Sequence, residues 1–457
     1  MTSTIDTTHP AIAALRDYWE MAEALMGGTA EMRRAGERYL PKWPNEDSES
    51  YRARLMSATL FPAVSETIVN MVGRVFRAPL IPADTIPSQI MDLLPTFDAM
   101  GRKIDIFAQE VFAEALTNGS AGILVDFPPV EGATRADVLR AGARPYAVMI
   151  EPDQLINWRT GRGGVVEHVR FYECVSEPDG DYGTREVKQI RALWPDRWET
   201  YRKPDGLDKW LLHDSGAMSL GVVPYVPLIL GDDAEGLVAK PRLRELMHLN
   251  IEHWQSKSDQ QTILHVARVP ILALVGVDDP SFSLQIGAKA ATMLPTGCDM
   301  KFVEHSGNSI QSGRDDLKDI EERMRQAGAQ LLKRTEISLT ESQARDEAGR
   351  LVAPLANMAQ KLEDALDQTL QLFALWLSLP DGGNIKVGAD LDLDMAPTGS
   401  LDVLLKSAQA GMLSHETYFA ELQRHGAITD EIDWETEQSR VDWQGPALGQ
   451  IGRKNAA

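Results

Sequence analysis

Cysteine is nearly absent from this chain: Cys174 and Cys298 are the two among 457 residues. Two thiols cannot form the disulfide framework of a small secreted domain, and no Cys-x-x-Cys spacing indicates a metal or redox site. The N-terminus, MTSTIDTTHP, has no basic region followed by an apolar core, so it predicts no secretion signal. Synthesis in a reducing, intracellular compartment fits these features.

Long apolar runs are also lacking. The most apolar early stretch is LFPAVSETIVNMVGRVFRAPLI, which Pro62, Glu66, Arg74 and Arg77 interrupt. Charged side chains are costly inside a bilayer, and a spanning helix needs about 20 mostly apolar residues. The sequence therefore predicts no membrane-spanning segment and no membrane partner.

Positive charge is scarce. Lys and Arg total 46 against 67 Asp and Glu, which gives a net charge of −21 and a pI near 4.9. This balance argues against a general electrostatic grip on nucleic acid. With 43% hydrophobic residues, the chain can bury a sizeable core and should form about two to four folding units.

Enzyme signatures are missing as well. The sequence has no Gly-Lys-Ser/Thr phosphate loop, no His-Glu-x-x-His and no Gly-x-Ser-x-Gly. The strand-like ADLDLDM places Asp390, Asp392 and Asp394 on one face, where they could bind a divalent cation or form a solvated acidic edge. Our main prediction is a protein that is not an enzyme, with no catalytic residue, no cofactor and no metal.

What the sequence does contain is helix at both ends and β-structure between. Helical patterns cover Ala11–Met26, Ser48–Phe76 and Arg102–Thr117. From Gly122 onward, short β-rich segments separated by turns predict a β-meander. The predicted fold class is α+β.

Two long helices then flank a small α/β module. The first extends from about Pro241 to Val266 and the second over Asp315–Leu332, and a third follows at Glu341–Leu377. Apolar residues of the second helix recur at alternating spacings of three and four, which is typical of a narrow packing seam; they are Leu317, Ile320, Met324, Ala327 and Leu331. Its charges predict the i,i+4 pairs Lys318–Glu322, Asp319–Arg323 and Glu321–Arg325.

The first long helix is rich in polar residues and histidine. His248 and His253 are five residues apart, roughly 140° around a helix, so they do not form an i,i+4 ligand pair. We interpret the segment as a polar helix that contacts a partner, with a structural metal as the less favoured alternative.

Four stretches together resemble the portal proteins of tailed bacteriophages. They are YLPKWPNEDSESYRARLMSATLFPAVSETIVNMVGRVFRAPL, RPYAVMIEPDQLINWR, LNIEHWQSKSDQQTILHVARVPILALVG and LLKRTEISLTESQA. The similarity extends over roughly Tyr39 to Leu377.

This resemblance implies a ring-forming channel, typically a dodecamer, at one vertex of a phage capsid. It implies seven segments by position: an N-terminal wing (1–240), a first stem helix (241–266), an α/β clip (267–310), a second stem helix (311–332), a tunnel loop (333–340), a wing helix and strand (341–398), and a helical crown with C-terminal tail (399–457). The implied partners are further copies of the chain, the terminase large subunit, a head-completion or tail adaptor, scaffold and major capsid protein, and double-stranded DNA passing without sequence specificity.

The same resemblance assigns candidate sites. The tunnel loop would present Lys333, Arg334, Thr335, Glu336, Ser338 and Thr340 to DNA. The stem would contact neighbouring subunits through His248, Glu252, His253, Leu317, Ile320, Met324 and Leu331. The virion would be the site of action.

Acidic residues crowd the start of the second stem helix. Asp315, Asp316, Asp319, Glu321 and Glu322 are candidates for the channel wall. Tight phosphate binding would hold DNA that must slide, and an acidic wall avoids this. Lys333 and Arg334 are consistent with transient phosphate contacts or with helix C-terminal capping; unchanged DNA retention after charge reversal at both would contradict the first.

Two other function classes stay open. One is an intracellular metal-dependent transferase that uses Asp390, Asp392 and Asp394. The other is a helical adaptor without a channel, which would dimerise or trimerise through the Leu317–Leu331 seam.

Overall fold

The computed structural model describes residues 4–128, 143–204, 206–267, 271–275, 299–303, 308–328, 341–388, 398–424, 428 and 432–444. The chain divides into two compact units, which are described separately. Unit 1 consists of Met1–Gly73, Pro82–Arg334 and Lys361–Ile385; unit 2 consists of Arg74–Ile81, Thr335–Gln360 and Lys386–Ala457.

Twelve α-helices lie in the described residues. They are α1 (Pro10–Met26), α2 (Gly28–Ala35), α3 (Ser48–Ser57), α4 (Ala63–Val75), α5 (Ser88–Met91), α6 (Ile104–Asn118), α7 (Arg244–Ala267), α8 (Asn308–Gln326), α9 (Glu341–Leu377), α10 (Thr398–Gln409), α11 (His415–Arg424) and α12 (Trp434–Gln444).

The strands are β1 (Ile81–Pro82), β2 (Ser120–Asp126), β3 (Tyr146–Ile150), β4 (Leu155–Thr160), β5 (Val166–Asp179), β6 (Gly183–Leu193), β7 (Arg197–Arg202), β8 (Leu211–Ala217), β9 (Tyr225–Ile229), β10 (Asp232–Glu235), β11 (Val238–Lys240), β12 (Ile271–Val275), β13 (Asp299–Val303) and β14 (Ile385–Lys386). Strands β4 to β8 form a five-stranded antiparallel sheet in sequence order, and β2 lies between β3 and β9 in a separate three-stranded sheet.

Helix α1 contributes to two hydrophobic cores of unit 1. Its first half, including Ile12 and Trp19, packs with residues of the two sheets. Its second half, including Leu25, packs with α4, α7 and α8. One helix therefore joins the β-structure to the long helices.

Unit 2 contains α10, α11 and α12, and the starts of α11 and α12 carry side-chain caps. The Ser414 hydroxyl accepts from the Thr417 backbone N–H (3.1 Å), and the Asp433 carboxylate accepts from the Thr436 N–H (2.7 Å). These acceptors satisfy N–H groups that have no partner within their own helix. The Phe419 and Trp434 rings lie 5.5 Å apart between α11 and α12.

The α+β prediction is confirmed, and so is the meander, which corresponds to β4–β8. Two details of the prediction are wrong. The expected helix Ser48–Phe76 is two helices, because the chain is extended at Ala58 and Pro62 precedes α4. Strands β2 and β3 belong to a different sheet from the meander, because β2 pairs with β9, about a hundred residues later.

A half-buried carboxyl group near the end of α6 makes the stability of unit 1 depend on pH. Burial raises the pKa of Glu114 to about 7, although a hydrogen bond from Asn118 Nδ2 (2.6 Å) opposes the rise. The carboxylates of Glu151 and Asp153 push the pKa in the same direction as burial. Because the folded pKa lies above the unfolded value, stability is complete below the unfolded pKa of 4.5 and is lost as pH rises through 7.

We therefore expect Glu114→Gln to stabilise the protein in alkaline solution. Glutamine keeps an acceptor for Asn118 and cannot ionise, so the gain in unfolding free energy should be near zero at pH 4.5 and about 2 kcal/mol at pH 8. Urea unfolding at both pH values measures this difference. The exposed control Glu235→Gln should shift stability by no more than about 0.5 kcal/mol; a gain from Glu114→Gln that is the same at both pH values would contradict the burial argument.

Candidate functional site: the hairpin of helices α7 and α8

Helices α7 and α8 lie side by side and antiparallel. Ser256 Oγ donates to Asp316 Oδ2 at 2.6 Å, and Gln260 Nε2, one turn later on α7, donates to the Ile310 carbonyl at 2.9 Å. The later residue on α7 thus bonds the earlier residue on α8, as antiparallel helices require. The direction of the hairpin is thus fixed by side-chain hydrogen bonds along its length.

An ion pair links the other end of the hairpin. The two terminal guanidinium nitrogens of Arg323, Nη1 and Nη2, donate to the Glu252 carboxylate at 3.0 and 3.2 Å. Both side chains are about half exposed, so solvent screening limits the pair's stabilisation to about 1 kcal/mol or less. The bidentate geometry mainly sets the register of the two helices.

Close approach of the two helices depends on a glycine in α8. A Cβ atom at Gly313 would lie 2.0 Å from Gln260 Oε1 on α7. A larger residue would displace the Gln260 side chain, whose amide bonds the Ile310 carbonyl. Gly313 therefore lowers helix propensity in α8 but leaves room for a contact between the helices.

The seam of α8 is buried inside its own chain. Ile320 and Met324 are 2% and 0% exposed and belong to the core formed with α1, α4 and α7. Their predicted role as contacts to a neighbouring subunit is wrong, because side chains covered by their own chain have no surface left for a partner. Leu317 is half-buried, and Leu331 lies outside the described residues.

His253, another predicted contact to a neighbouring subunit, is also buried inside its own chain. The ring is buried against Phe61, with 5.3 Å between ring centroids, and Nε2 lies 3.6 Å from Glu321 Oε1. Burial lowers the pKa of His253, although the Glu321 carboxylate opposes this. The histidine thus packs α7 against α8 and the segment before α4, while His248 and Glu252 of the predicted interface set are exposed.

The predicted acidic set has uneven exposure. Asp315, Asp316, Asp319 and Glu322 are exposed, whereas Glu321 is half-buried beside His253. Within the described residues, Asp319 has no recorded ion-pair partner. The start of α8 therefore presents negative charge to solvent.

The predicted i,i+4 pairs on α8 are wrong. Lys318 pairs with Asp315 (3.8 Å) and Arg325 with Glu322 (2.5 Å), each three residues apart, while Arg323 pairs across the hairpin with Glu252. Arg323 pairs with Glu252 because α7 lies close to it, and Lys318 and Arg325 pair with carboxylates three residues away instead of four.

An antiparallel pair of strands lies between the two helices in sequence. Strands β12 and β13 pair antiparallel, from Ile271 opposite Val303 to Val275 opposite Asp299. Both strands lie in the segment for which the sequence predicts a small α/β module. Residues 276–298 of the module lie outside the described residues.

Helix α8 begins at Asn308 and ends at Gln326, earlier at both ends than the predicted helix. Gly328, with φ of +137°, lies just beyond the end, in a conformation that side-chain-bearing residues rarely adopt. The predicted loop residues Lys333, Arg334, Thr335, Glu336, Ser338 and Thr340 lie outside the described residues, as do Asp390, Asp392 and Asp394.

Sequence reasoning missed the residues that fasten α7 to the N-terminal helices. Asn250 is buried; its Nδ2 donates to the Phe61 carbonyl (2.9 Å), and its Oδ1 accepts from the Val64 N–H at the start of α4 (3.3 Å). Gln255 Nε2 donates to the Tyr39 carbonyl at 3.0 Å. The partners are separated by about two hundred residues, so no local pattern indicates these contacts.

The described residues contain no group of three or more His, Cys, Asp or Glu side chains arranged to hold a metal ion. Across the same part of the chain, no helix is both long enough and apolar enough to cross a membrane.

Comparison with known proteins locates the hairpin within a recognised segment. Residues 242–377 match a family model described as Domain of unknown function (DUF4055), from two residues before α7 to the last residue of α9. No curated protein matches the chain.

Three solved structures resemble the chain weakly. The neck of a native GTA particle computed with C12 symmetry has 14% identity and a TM-score of 0.43, over 79% of this chain and 89% of that one. The virion of a native gene transfer agent (GTA) particle has 15% identity and a TM-score of 0.43, over 86% of this chain and 97% of that one. The neck of an empty GTA particle computed with C6 symmetry has 15% identity and a TM-score of 0.45, over 83% of this chain and 94% of that one. TM-scores this low do not establish a shared fold.

Proposed function

We propose that this chain is a portal-type protein of a tailed phage or phage-like particle. It forms a closed homo-oligomeric ring, and double-stranded DNA passes through the ring during packaging and ejection. The observation that carries the proposal is the antiparallel α7–α8 hairpin, which has the antiparallel strand pair β12–β13 between its helices in sequence. This is the order of stem, clip and stem that the sequence resemblance implies.

The charge of the hairpin supports a channel that does not hold DNA. Asp315, Asp316, Asp319 and Glu322 are exposed on α8, and a ring multiplies each by the number of subunits. Repulsion of phosphates lowers the affinity that would stop DNA from sliding. Lys333 and Arg334 of the proposed tunnel loop supply the transient phosphate contacts.

The remaining assignments belong to the same proposal. The segment 267–310, which contains β12 and β13, docks the terminase large subunit during packaging and a head-completion or tail adaptor afterwards. The ring nucleates assembly with scaffold and major capsid protein and remains in the virion at one capsid vertex. Exposed His248 and Glu252 are retained as candidates for subunit contacts.

Oligomeric state tests this proposal directly. We expect purified protein to form closed rings with a central hole wide enough for duplex DNA in negative-stain images, and a mass in solution of about twelve copies. Closed rings with a different number of subunits would change the expected stoichiometry but not the proposal. A monomer that stays monomeric at high concentration and with scaffold protein would contradict the proposal. A dimer or trimer would favour an adaptor without a channel, assembled through a surface other than the seam in which Ile320 and Met324 are buried.

A further inference from the structure

The β5–β6 hairpin extends beyond the rest of its sheet. Its paired residues run from Val169 opposite Leu193 to Asp179 opposite Gly183. Strand β7 pairs with β6 only up to Gln189, and β4 pairs with β5 only up to Phe171. The outer part is therefore a two-stranded arm about 20 Å long, with an unpaired strand edge on each side.

Such an arm is incomplete by itself. An isolated two-stranded hairpin is marginally stable in water, and an unpaired edge presents backbone N–H and C=O groups that can bind another strand. Within the described residues, the backbone groups of Arg185–Lys188 make no recorded hydrogen bond on the side away from β5. At the tip, Tyr182 is fully exposed.

An open cleft of about 640 Å³ follows the free edge of β6. The four consecutive residues Arg185–Lys188 line it. Successive side chains of a strand point to opposite faces, so a space that touches all four follows the edge of the strand and not one face. Arg202 and Pro204, where β7 ends, also line the cleft, so an added strand would continue the line of β7.

Two lysines give the cleft its ligand preference. Lys188 Nζ lies 4.3 Å from the Tyr172 ring centroid and, within the described residues, has no recorded carboxylate partner. Lys203 lies 5.3 Å from the Trp210 ring and pairs with Asp208, a highly exposed side chain that a ligand carboxylate can displace.

The two carboxylates of the cleft are already engaged. Asp6 accepts hydrogen bonds from the Thr4 hydroxyl (2.6 Å) and Trp210 Nε1 (3.2 Å), and Glu186 accepts one from the Ser176 hydroxyl. Four Lys and Arg line the cleft against these two carboxylates, so its local charge is positive in a chain with a net charge of −21. Arg185 and Arg202 pair with Glu177, which leaves the two lysines for a ligand.

We propose that this cleft binds an extended, acidic segment of a partner protein, which adds a strand to the free edge of β6. Backbone hydrogen bonds to Arg185–Lys188 hold the segment in line with β7, and acidic side chains pair with Lys188 and Lys203. The four residues Arg185–Lys188 offer an edge about 13 Å long, which matches an added strand of about four residues. This activity does not depend on ring formation, so its test does not depend on the proposed channel.

The test uses the full chain and a panel of fluorescein-labelled heptapeptides that alternate Glu or Asp with Val, Thr or Tyr. We expect at least one to bind with a Kd below about 1 mM by fluorescence anisotropy. Lys188→Glu should weaken binding about tenfold or more, because an attractive charge becomes repulsive. The matched control Lys209→Glu, an exposed lysine outside the cleft, should change affinity by less than about twofold.

Backbone methylation separates strand addition from general charge attraction. A strand added to an edge uses the N–H groups of alternate residues only. N-methylation of every second residue should therefore abolish binding in one register and be tolerated in the other. Equal tolerance in both registers, equal weakening by Lys188→Glu and Lys209→Glu, no binding by any peptide, or displacement of a bound peptide by oligo(dT) would each overturn the proposal.

Discussion

Replacement of Arg54 by alanine is expected to reduce the unfolding free energy by about 3–5 kcal/mol. The Arg54 side chain is 3% exposed and donates to both Glu46 carboxylate oxygens, at 2.9 and 2.7 Å, and to the Pro41 carbonyl at 2.8 Å. The guanidinium lies 4.2 Å from the centroid of the Trp43 ring and 3.9 Å from Asp259 on α7. Alanine would leave the Glu46 carboxylate buried without its cation.

The Arg54 substitution should also change how stability depends on acid. Hydrogen bonds from Arg54 hold the pKa of Glu46 below its usual value. A lowered folded pKa contributes stability above the unfolded pKa of 4.5, and this contribution is lost as pH falls through the folded pKa. The loss caused by Arg54→Ala should therefore be larger at pH 7 than at pH 3, and urea unfolding at the two pH values measures it.

Two comparisons separate the buried ion pair from general effects of losing an arginine. Arg52, two residues earlier on α3, is exposed, so Arg52→Ala should change stability by less than about 0.5 kcal/mol. The double variant Arg54→Met, Glu46→Leu removes both charges and should recover most of the loss. Equal effects of Arg54→Ala and Arg52→Ala would show that the buried pair contributes little.

Local patterns predicted much of the fold. Helix α1 begins within one residue of its predicted start and ends at Met26 as predicted. Its bounds are predictable because the apolar periodicity and the glycines that follow are local features of the sequence. The meander was predictable for the same reason: alternation and turn residues lie within each hairpin. The break at Pro62 was missed although proline disfavours helix in the residue before it.

Contacts between distant residues were not predictable. Glu252 and Arg323 are 71 residues apart, and Asn250 and Val64 are 186 apart. The charge pattern of α8 alone predicts Asp319 as the partner of Arg323, since it cannot show that α7 brings Glu252 closer. Which carboxylate pairs with Arg323 depends on how closely the two helices approach, and only the tertiary structure shows this.

The candidate site shows the same limit. A periodic apolar seam indicates that a helix packs against something, but it does not show whether that surface is its own chain or another. Ile320 and Met324 pack within their own chain. Four of the five acidic residues of α8 are exposed, because charged side chains are seldom buried without a partner, and their place on a channel wall stays a prediction.

The second large effect is expected at Trp254 of α7. Its indole is 0% exposed and packs in the core that joins α7 to α1, α4 and α8. Trp254→Ala should reduce the unfolding free energy by about 3–5 kcal/mol, because it removes buried apolar area and leaves a cavity. Urea unfolding measures the loss, and hydrogen exchange of the α7 and α8 amides should show faster opening of the hairpin.

Phenylalanine at the same position distinguishes packing from hydrogen bonding. Within the described residues, the Trp254 Nε1–H is buried and has no recorded acceptor, so it adds a desolvation cost to the folded state. Trp254→Phe removes that cost while keeping most of the ring, and its loss should be about 1–2 kcal/mol. Trp443, which is 93% exposed, provides the control, because its replacement by alanine should cost less than about 0.5 kcal/mol. Equal losses for Trp254→Phe and Trp254→Ala would instead show that the indole N–H has an acceptor, and that a polar contact as well as packing joins the hairpin to the N-terminal helices.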